Sequence, residues 1–264
     1  MSKVIVFVHG AGKFKKNYFK EPLAALTALL GTQPPAVGVW YSDIASVGAS
    51  LGVAARGKTR GKRGRTLDGD EVANFKAAFA MLVQSDFNAL PQYERHTIAF
   101  AMPAQFLAEV IATDLTQVAG YLFDSKTYSA IQTRMRDGLN QALGMGDEIV
   151  IASHSLGSVV AFDCLKESAG NSNVASLFTL GSPLSKLRRL NLRTGDLGAI
   201  PGNVGEWLNL YDSTDPVANA LGPVFPSRPF RLRDVFVDVD TDPIRSHDYF
   251  RNEETLTELA AAML

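Results

Sequence analysis

The chain has 264 residues, 46% of them apolar and 20% charged, with 22 glycines. That composition excludes a disordered or collagen-like chain and supplies enough apolar material for one large core. The formal net charge of −1 offers no global field for nucleic acid or an anionic membrane. The single cysteine, Cys164, excludes an intrachain disulfide framework and a cysteine-rich zinc site, and reads as a small core residue.

The opening run over 3–9, "KVIVFVH", is short and rich in β-branched residues. Its apolar part, Val4 to Val8, is too short for the h-region of a signal peptide and flows into His9-Gly10-Ala11-Gly12 without a cleavage pattern. It is therefore expected to be the first core strand. No run approaches the roughly 20 apolar residues of a membrane span, so the expectation is a cytoplasmic protein without integral membrane association.

A helix follows over 19–30, with Leu23, Leu26, Leu29 and Leu30 on one stripe and Gly31 at its end. Further strands are expected over 36–41, 148–153, 174–180, 206–211 and 232–239, and further helices over 155–167 and 248–263. The first four strands are apolar on both faces, as in a parallel sheet covered by helices on both sides. Alternating β and α elements predict an α/β fold of about six mostly parallel strands with right-handed crossovers.

The interval between the second and third strands is far longer than one crossover needs. Helical spacing runs over 71–83, 104–123 and 127–143, the last closed by Gly144 and leading into strand 148–153. The remainder, 43–125, reads as a helical cap inserted into a single domain over 1–264. Within it, Arg56, Lys58, Arg60, Lys62, Arg63 and Arg65 crowd among glycines. That stretch reads first as a solvated loop, and second as a flap attracting anionic groups. It lacks the interleaved aromatics and the basic domain of a nucleic-acid binder.

The chemistry concentrates where strand 148–153 runs into Ser153-His154-Ser155-Leu156-Gly157. A strand, a tight turn and a helix form the setting of a G-x-S-x-G nucleophile elbow, with Ser153 in place of the first glycine. Ser155 is then the nucleophile, and small neighbours such as Gly157 let the backbone fold sharply. The bland alternative is a serine capping a helix. A serine nucleophile needs a base, and in such elbows the partners follow in the order Ser, acid, His. His247 alone among the four histidines lies after Ser155. His9 and His154 adjoin motif turns and are expected to support backbone, while His96 reads as a surface residue of the insertion.

The acid should come from the turn after strand 206–211, which offers Asp212 and Asp215. Asp215 is favoured, although Asp215-Pro216 also reads as a helix start. Asp212 either serves as the acid or pins the loop. The backbone N–H groups of Ala11 and Leu156 are the expected oxyanion donors, on a loop whose Gly10 and Gly12 permit close approach. This loop matches neither G-x-x-x-x-G-K-[ST] nor G-x-G-x-x-G, which argues against a nucleotide site.

The segments "VFVHGAG", "IVIASHSLGS", "FTLGSPL", "LYDSTDPV" and "SHDYF", in this order, resemble the serine esterases and lipases of the α/β-hydrolase superfamily. The resemblance covers the opening strand, 30–41 and 148–263, and leaves the insertion unmatched. It implies acyl transfer through a serine ester on a small-molecule ester or lipid substrate, no metal or other cofactor, and substrate choice set by the cap. The six strands resemble the smaller members of that superfamily, and "DPV" after the acid strand resembles its lipase-like branches. An acyltransferase or thioesterase would use the same triad. A catalytically idle binding module would often have lost one of its members.

Overall fold

The structure is a computed structural model that describes residues 2–44, 69–91, 104–167, 174–191, 203–225 and 231–264, with backbone alone over 104–113. Six strands form one sheet: β1 (Lys3–Val8), β2 (Ala36–Val39), β3 (Glu148–His154), β4 (Val174–Leu180), β5 (Val204–Tyr211) and β6 (Leu232–Phe236). The spatial order is β2-β1-β3-β4-β5-β6, and every neighbouring pair is parallel. Between the strands run the helices α1 (Lys20–Leu30), α2 (Gly69–Ala89), α3 (Ala104–Phe123), α4 (Ser125–Leu143), α5 (Leu156–Glu167) and α6 (Leu184–Arg189), and α7 (Glu253–Met263) follows the last strand. None is long and apolar enough to cross a membrane.

Parallel strands expose both faces to covering helices, and the side chains of β1 sort accordingly. Val4, Val6 and Val8 join the core beneath α2–α6, whereas Ile5 and Phe7 join a second core beneath α1 and α7. The same alternation runs through β3, with Ile149 and Ile151 on the first face and Val150 and Ala152 on the second. Cys164 is fully buried in the first core.

Local chemistry sets the element ends. Gly31 terminates α1 in the left-handed region at φ 72°. Asp124 caps α4 by accepting the N–H groups of Lys126 and Thr127, which starts that helix two residues earlier than its apolar spacing suggests. The expected helix over 248–263 is instead a short 3₁₀ turn, Tyr249–Arg251, followed by α7. Asn252 separates them because it takes an extended backbone and its side chain accepts the Thr255 N–H. The short α6 carries no apolar periodicity of useful length and was not expected from the sequence.

Strand register places the functional residues. Val8 pairs with Ser153, Ser153 with Thr179, and Thr179 with Asn209, so β1, β3, β4 and β5 end at one level. The chain steps from β1 outward to β2 and later returns to the other side of β1 as β3. The helices that follow β1 and β3 therefore lie on opposite faces of the sheet, and the carboxyl edge between them is the usual ligand position in open α/β sheets.

Because both faces are covered, Ile5→Ala and Ile151→Ala should each cost about 2–5 kcal/mol of stability although they point in opposite directions. Urea unfolding of the two variants checks this, and a near-neutral result for either would mean that its face is open.

Candidate active site

β3 ends at His154, α5 begins at Leu156, and Ser155 between them sits in the left-handed region at φ 52°. For a residue with a Cβ this conformation costs roughly 1–2 kcal/mol and persists only where the surroundings hold it. The Ser155 N–H bonds the Leu180 carbonyl at 2.9 Å, extending the β3–β4 ladder by one residue. Its carbonyl accepts both the N–H of Ser158 at 2.9 Å and the Ser158 hydroxyl at 2.6 Å.

Two glycines permit the turn. A Cβ on Gly157 would stand 2.7 Å from the Val8 carbonyl oxygen, so the first turn of α5 lies directly on the end of β1. A Cβ on Gly10 would stand 2.6 Å from the Cβ of Ser155 and 3.1 Å from His154 Nδ1. Ser153, where the motif more often has glycine, is fully buried and donates its hydroxyl to the Phe178 carbonyl at 2.6 Å. A small side chain that satisfies itself on β4 is thus accommodated there.

The loop after β1 is held from three sides. His9 bonds the Gly10 carbonyl through Nδ1 at 2.7 Å, while Nε2 accepts the Tyr41 N–H at 3.1 Å, which fixes a neutral ring. Burial lowers its pKa to about 4, against the bond to Gly10 and the field of Asp43. The Tyr41 hydroxyl donates to the His9 carbonyl. Gly12, at φ 121°, gives its N–H to Gln117 of α3 at 2.8 Å. Gln117 was not singled out from the sequence, where nothing marks a glutamine that reaches back 105 residues. Between these anchors Ala11 lines the same cavity as Ser155. The Leu156 N–H belongs to the first turn of α5, where N–H groups lack helical partners.

Of the two candidate acids, only Asp215 meets the imidazole. His247 sits at the end of a 3₁₀ turn, Arg245–His247, and its Nδ1 lies 2.8 Å from Asp215 Oδ2. The same oxygen accepts the Tyr249 hydroxyl at 2.9 Å, and Asp215 Oδ1 accepts the Val217 N–H at 2.8 Å. Asp212 points elsewhere. Its Oδ1 accepts the N–H and hydroxyl of Thr214, and its Oδ2 accepts the N–H groups of Val239 and Asp240, tying the loop after β5 to the segment after β6. Tyr249 bridges the two acids, since its oxygen also accepts the Asp212 N–H at 2.9 Å. Sequence reading missed this tyrosine, which is indistinguishable in pattern from any core aromatic.

Burial disfavours the imidazolium of His247, but the Asp215 carboxylate together with the fields of Asp114 and Asp248 outweighs it and the pKa is raised above 6.5. Burial also opposes the Asp215 anion, and His247 with its hydrogen bonds brings that pKa below 3.8. His154 does not support its own turn. Its Nε2 reaches the His247 carbonyl at 2.7 Å, and burial together with the neighbouring His247 lowers its pKa to about 3. Gly181, at φ 59°, leaves room for the base: a Cβ there would approach His247 to 3.0 Å and Tyr249 to 2.6 Å.

Two helices of the insertion, α2 and α3, contribute to the crevice. Phe79 of α2 and Asp114, Leu115 and Val118 of α3 share with Ser155 and His247 a cavity of about 110 Å³. Helix α2 is fastened by Asp86, which lies 3.0 Å from Lys186 Nζ and 2.6 Å from Arg189 Nη1, both on α6. Lys186 is buried and also donates to the carbonyls of Val217 and Ala218, beside Asp215. The basic stretch 56–65 and His96 lie outside the described residues. Among the described residues no group of three or more His, Cys, Asp or Glu is arranged to hold a metal ion.

Two buried neutral histidines make stability depend on pH in a stated direction. The unfolded chain takes up protons near pH 6.5 that His9 and His154 refuse until about 4 and about 3. Stability should fall as pH drops through that window, by up to about 1.4 kcal/mol per pH unit for each histidine. The depressed Asp215 adds a loss only below about pH 4, and the raised His247 adds one only as pH climbs above about 6.5. Urea midpoints measured from pH 7 to pH 4 check this, and a flat profile would contradict it.

No protein-family model matches the chain, and no curated protein is matched by its sequence.

Proposed function

We propose that this chain is a serine hydrolase of carboxylic esters, built on an α/β-hydrolase scaffold and working through an acyl-serine intermediate. The observation that carries the reading is the His247–Asp215 pair, whose imidazole lines the same cavity as the left-handed Ser155. A serine held in a costly backbone conformation beside a histidine oriented by a buried carboxylate is the arrangement that activates a hydroxyl.

In this reading His247 Nε2 takes the Ser155 proton as Oγ attacks the ester carbonyl. Asp215 holds the Nδ1–H tautomer and stabilises the imidazolium. The N–H groups of Ala11 and Leu156 receive the negative oxygen of the tetrahedral intermediate. Its collapse releases the alcohol, which leaves with the proton held on His247. Water then repeats the sequence, giving its proton to His247, and the acid departs as Ser155 regains its hydrogen. Tyr249, His154 and Gly181 act as positioning residues for the base and acid.

Ser155→Ala should retain the fold, lose labelling by a fluorophosphonate probe, and lose roughly 10⁶-fold in turnover on a nitrophenyl ester. A folded variant with near-native activity would overturn the assignment.

Asp215→Asn should cost about 10⁴-fold in turnover, because the amide leaves the imidazole in the wrong tautomer. Asp212→Asn should act mainly on stability, since its carboxylate is occupied by the loop. In the wild type, kcat/KM should rise with pH through a kinetic pKa above 6.5, the raised value of the base, and Asp215→Asn should move that pKa downward. Matched pH–rate profiles of the three proteins check both statements.

A further inference from the structure

The cavity at Ser155 has an apolar wall, built from residues such as Phe79, Leu115, Val118 and Val217, with one carboxylate set into it. That carboxylate is Asp114 of α3. It is partly buried, and burial raises its pKa against the field of His247. Among the described residues it takes part in no hydrogen bond or ion pair, and the lining of the cavity includes no lysine or arginine.

A carboxylate in an apolar wall is costly unless a donor or cation meets it. The nearby groups are committed. Asp215 is bonded to His247 and Tyr249 on the far side of the imidazole. Lys186, a buried cation, is paired with Asp86. The His247 imidazolium attracts Asp114, but the neutral imidazole that accepts the serine proton leaves Asp114 without a cation. With Asp114 and Asp215 both anionic, the field inside the cavity is negative, which repels anionic substrates and draws in cations. An aromatic ring, Phe79, lies in the same wall and adds a surface that favours ammonium groups.

We propose that Asp114 is the specificity-determining residue of this site and that it selects esters carrying an ammonium group on the acyl or alcohol arm. The inference rests on the serine-hydrolase reading above and adds the substrate's charge to it. Small amine-bearing esters suit the site, because the cavity of about 110 Å³ is smaller than one that engulfs a long acyl chain. The ammonium replaces the missing partner of Asp114 while the ester carbonyl lies against Ser155. The insertion thus supplies recognition and the sheet supplies chemistry.

Two isosteric ester pairs test the proposal, with acid release followed by titration at constant pH. One pair places the charge on the alcohol, 3-(dimethylamino)propyl butyrate against 4-methylpentyl butyrate. The other places it on the acid, ethyl 4-(dimethylamino)butyrate against ethyl 5-methylhexanoate. In at least one pair the wild type should favour the cation in kcat/KM by about 10- to 100-fold, the scale of a charged hydrogen bond. Asp114→Asn and Asp114→Ser should bring that ratio close to unity, and Asp114→Glu should restore part of it. A wild-type ratio near unity in both pairs overturns the proposal without needing any variant. So does a ratio unchanged in Asp114→Asn, or an equal loss on both members of a pair, which would make the carboxylate an electrostatic support of His247. Labelling of Ser155 by a neutral fluorophosphonate separates the two levels of inference. Labelling without charge preference removes the role of Asp114 alone, whereas no labelling of the folded wild type removes the hydrolase reading and this proposal with it.

Discussion

The close approach of two backbones at the end of β1 and β3 is the constraint on which the candidate site depends. The first turn of α5 rests on the carbonyls of Val8 and His9, and the loop after β1 passes over the Cβ of Ser155, each with no space for one further carbon. Gly157 and Gly10 occupy those positions. Their contacts lock Ser155 into a left-handed conformation that would otherwise relax, and the local cost is offset by the surrounding ladder and helix. Without this packing the hydroxyl would belong to an ordinary helix cap.

A second level of organisation surrounds the acid. Asp215 is fully desolvated at its side chain, and His247 keeps 21% of its own exposed toward the cavity. The carboxylate is stabilised by directed donors: the imidazole, the Tyr249 hydroxyl and the Val217 N–H. Tyr249 spans from Asp215 to the backbone of Asp212, and Asp212 in turn binds the loop that follows β6. Asp215, His247 and the two loops that carry them are therefore one hydrogen-bonded unit, in which misplacing one member disturbs the others.

The insertion is coupled to that unit by charge and hydrogen bonding as well as by apolar packing. Asp86 on α2 joins Lys186 and Arg189 on α6, and Lys186 continues to the carbonyls beside Asp215. Gln117 on α3 holds the N–H of Gly12 on the opposite rim. Helices α2 and α3 thus touch both sides of the crevice while Phe79 and Asp114 face its interior. The left-handed turn at Ser155 and the facing wall of the cavity are consequently supplied by different parts of the chain, which lets one vary without rebuilding the other.

Much of this molecule was legible before folding. Buried parallel strands must be apolar on both faces, so Lys3–Val8, Glu148–His154 and Val174–Leu180 announce themselves as continuous β-rich runs, and their alternation with helical spacing yields the α/β class. The turn at Ser155 was legible because small residues must flank a sharp backbone reversal. Ambiguity remained wherever the decisive partner is remote in sequence. Asp212 and Asp215 sit three residues apart on one loop and carry the same chemistry, and only the arrival of His247 from the segment after β6 separates them. His154 was legible as a neighbour of the turn, but its bond to the His247 carbonyl depends on a contact 93 residues away. Tyr249, Gln117, Lys186 and Asp114 carry no local mark at all, because core aromatics, helix amides and helix charges are common everywhere. Periodicity and turn chemistry are local properties and can be read along the chain. The pairing of buried polar groups is decided only when the sheet brings distant segments to the same edge, where each donor must find an acceptor or be left unpaired in the absence of water.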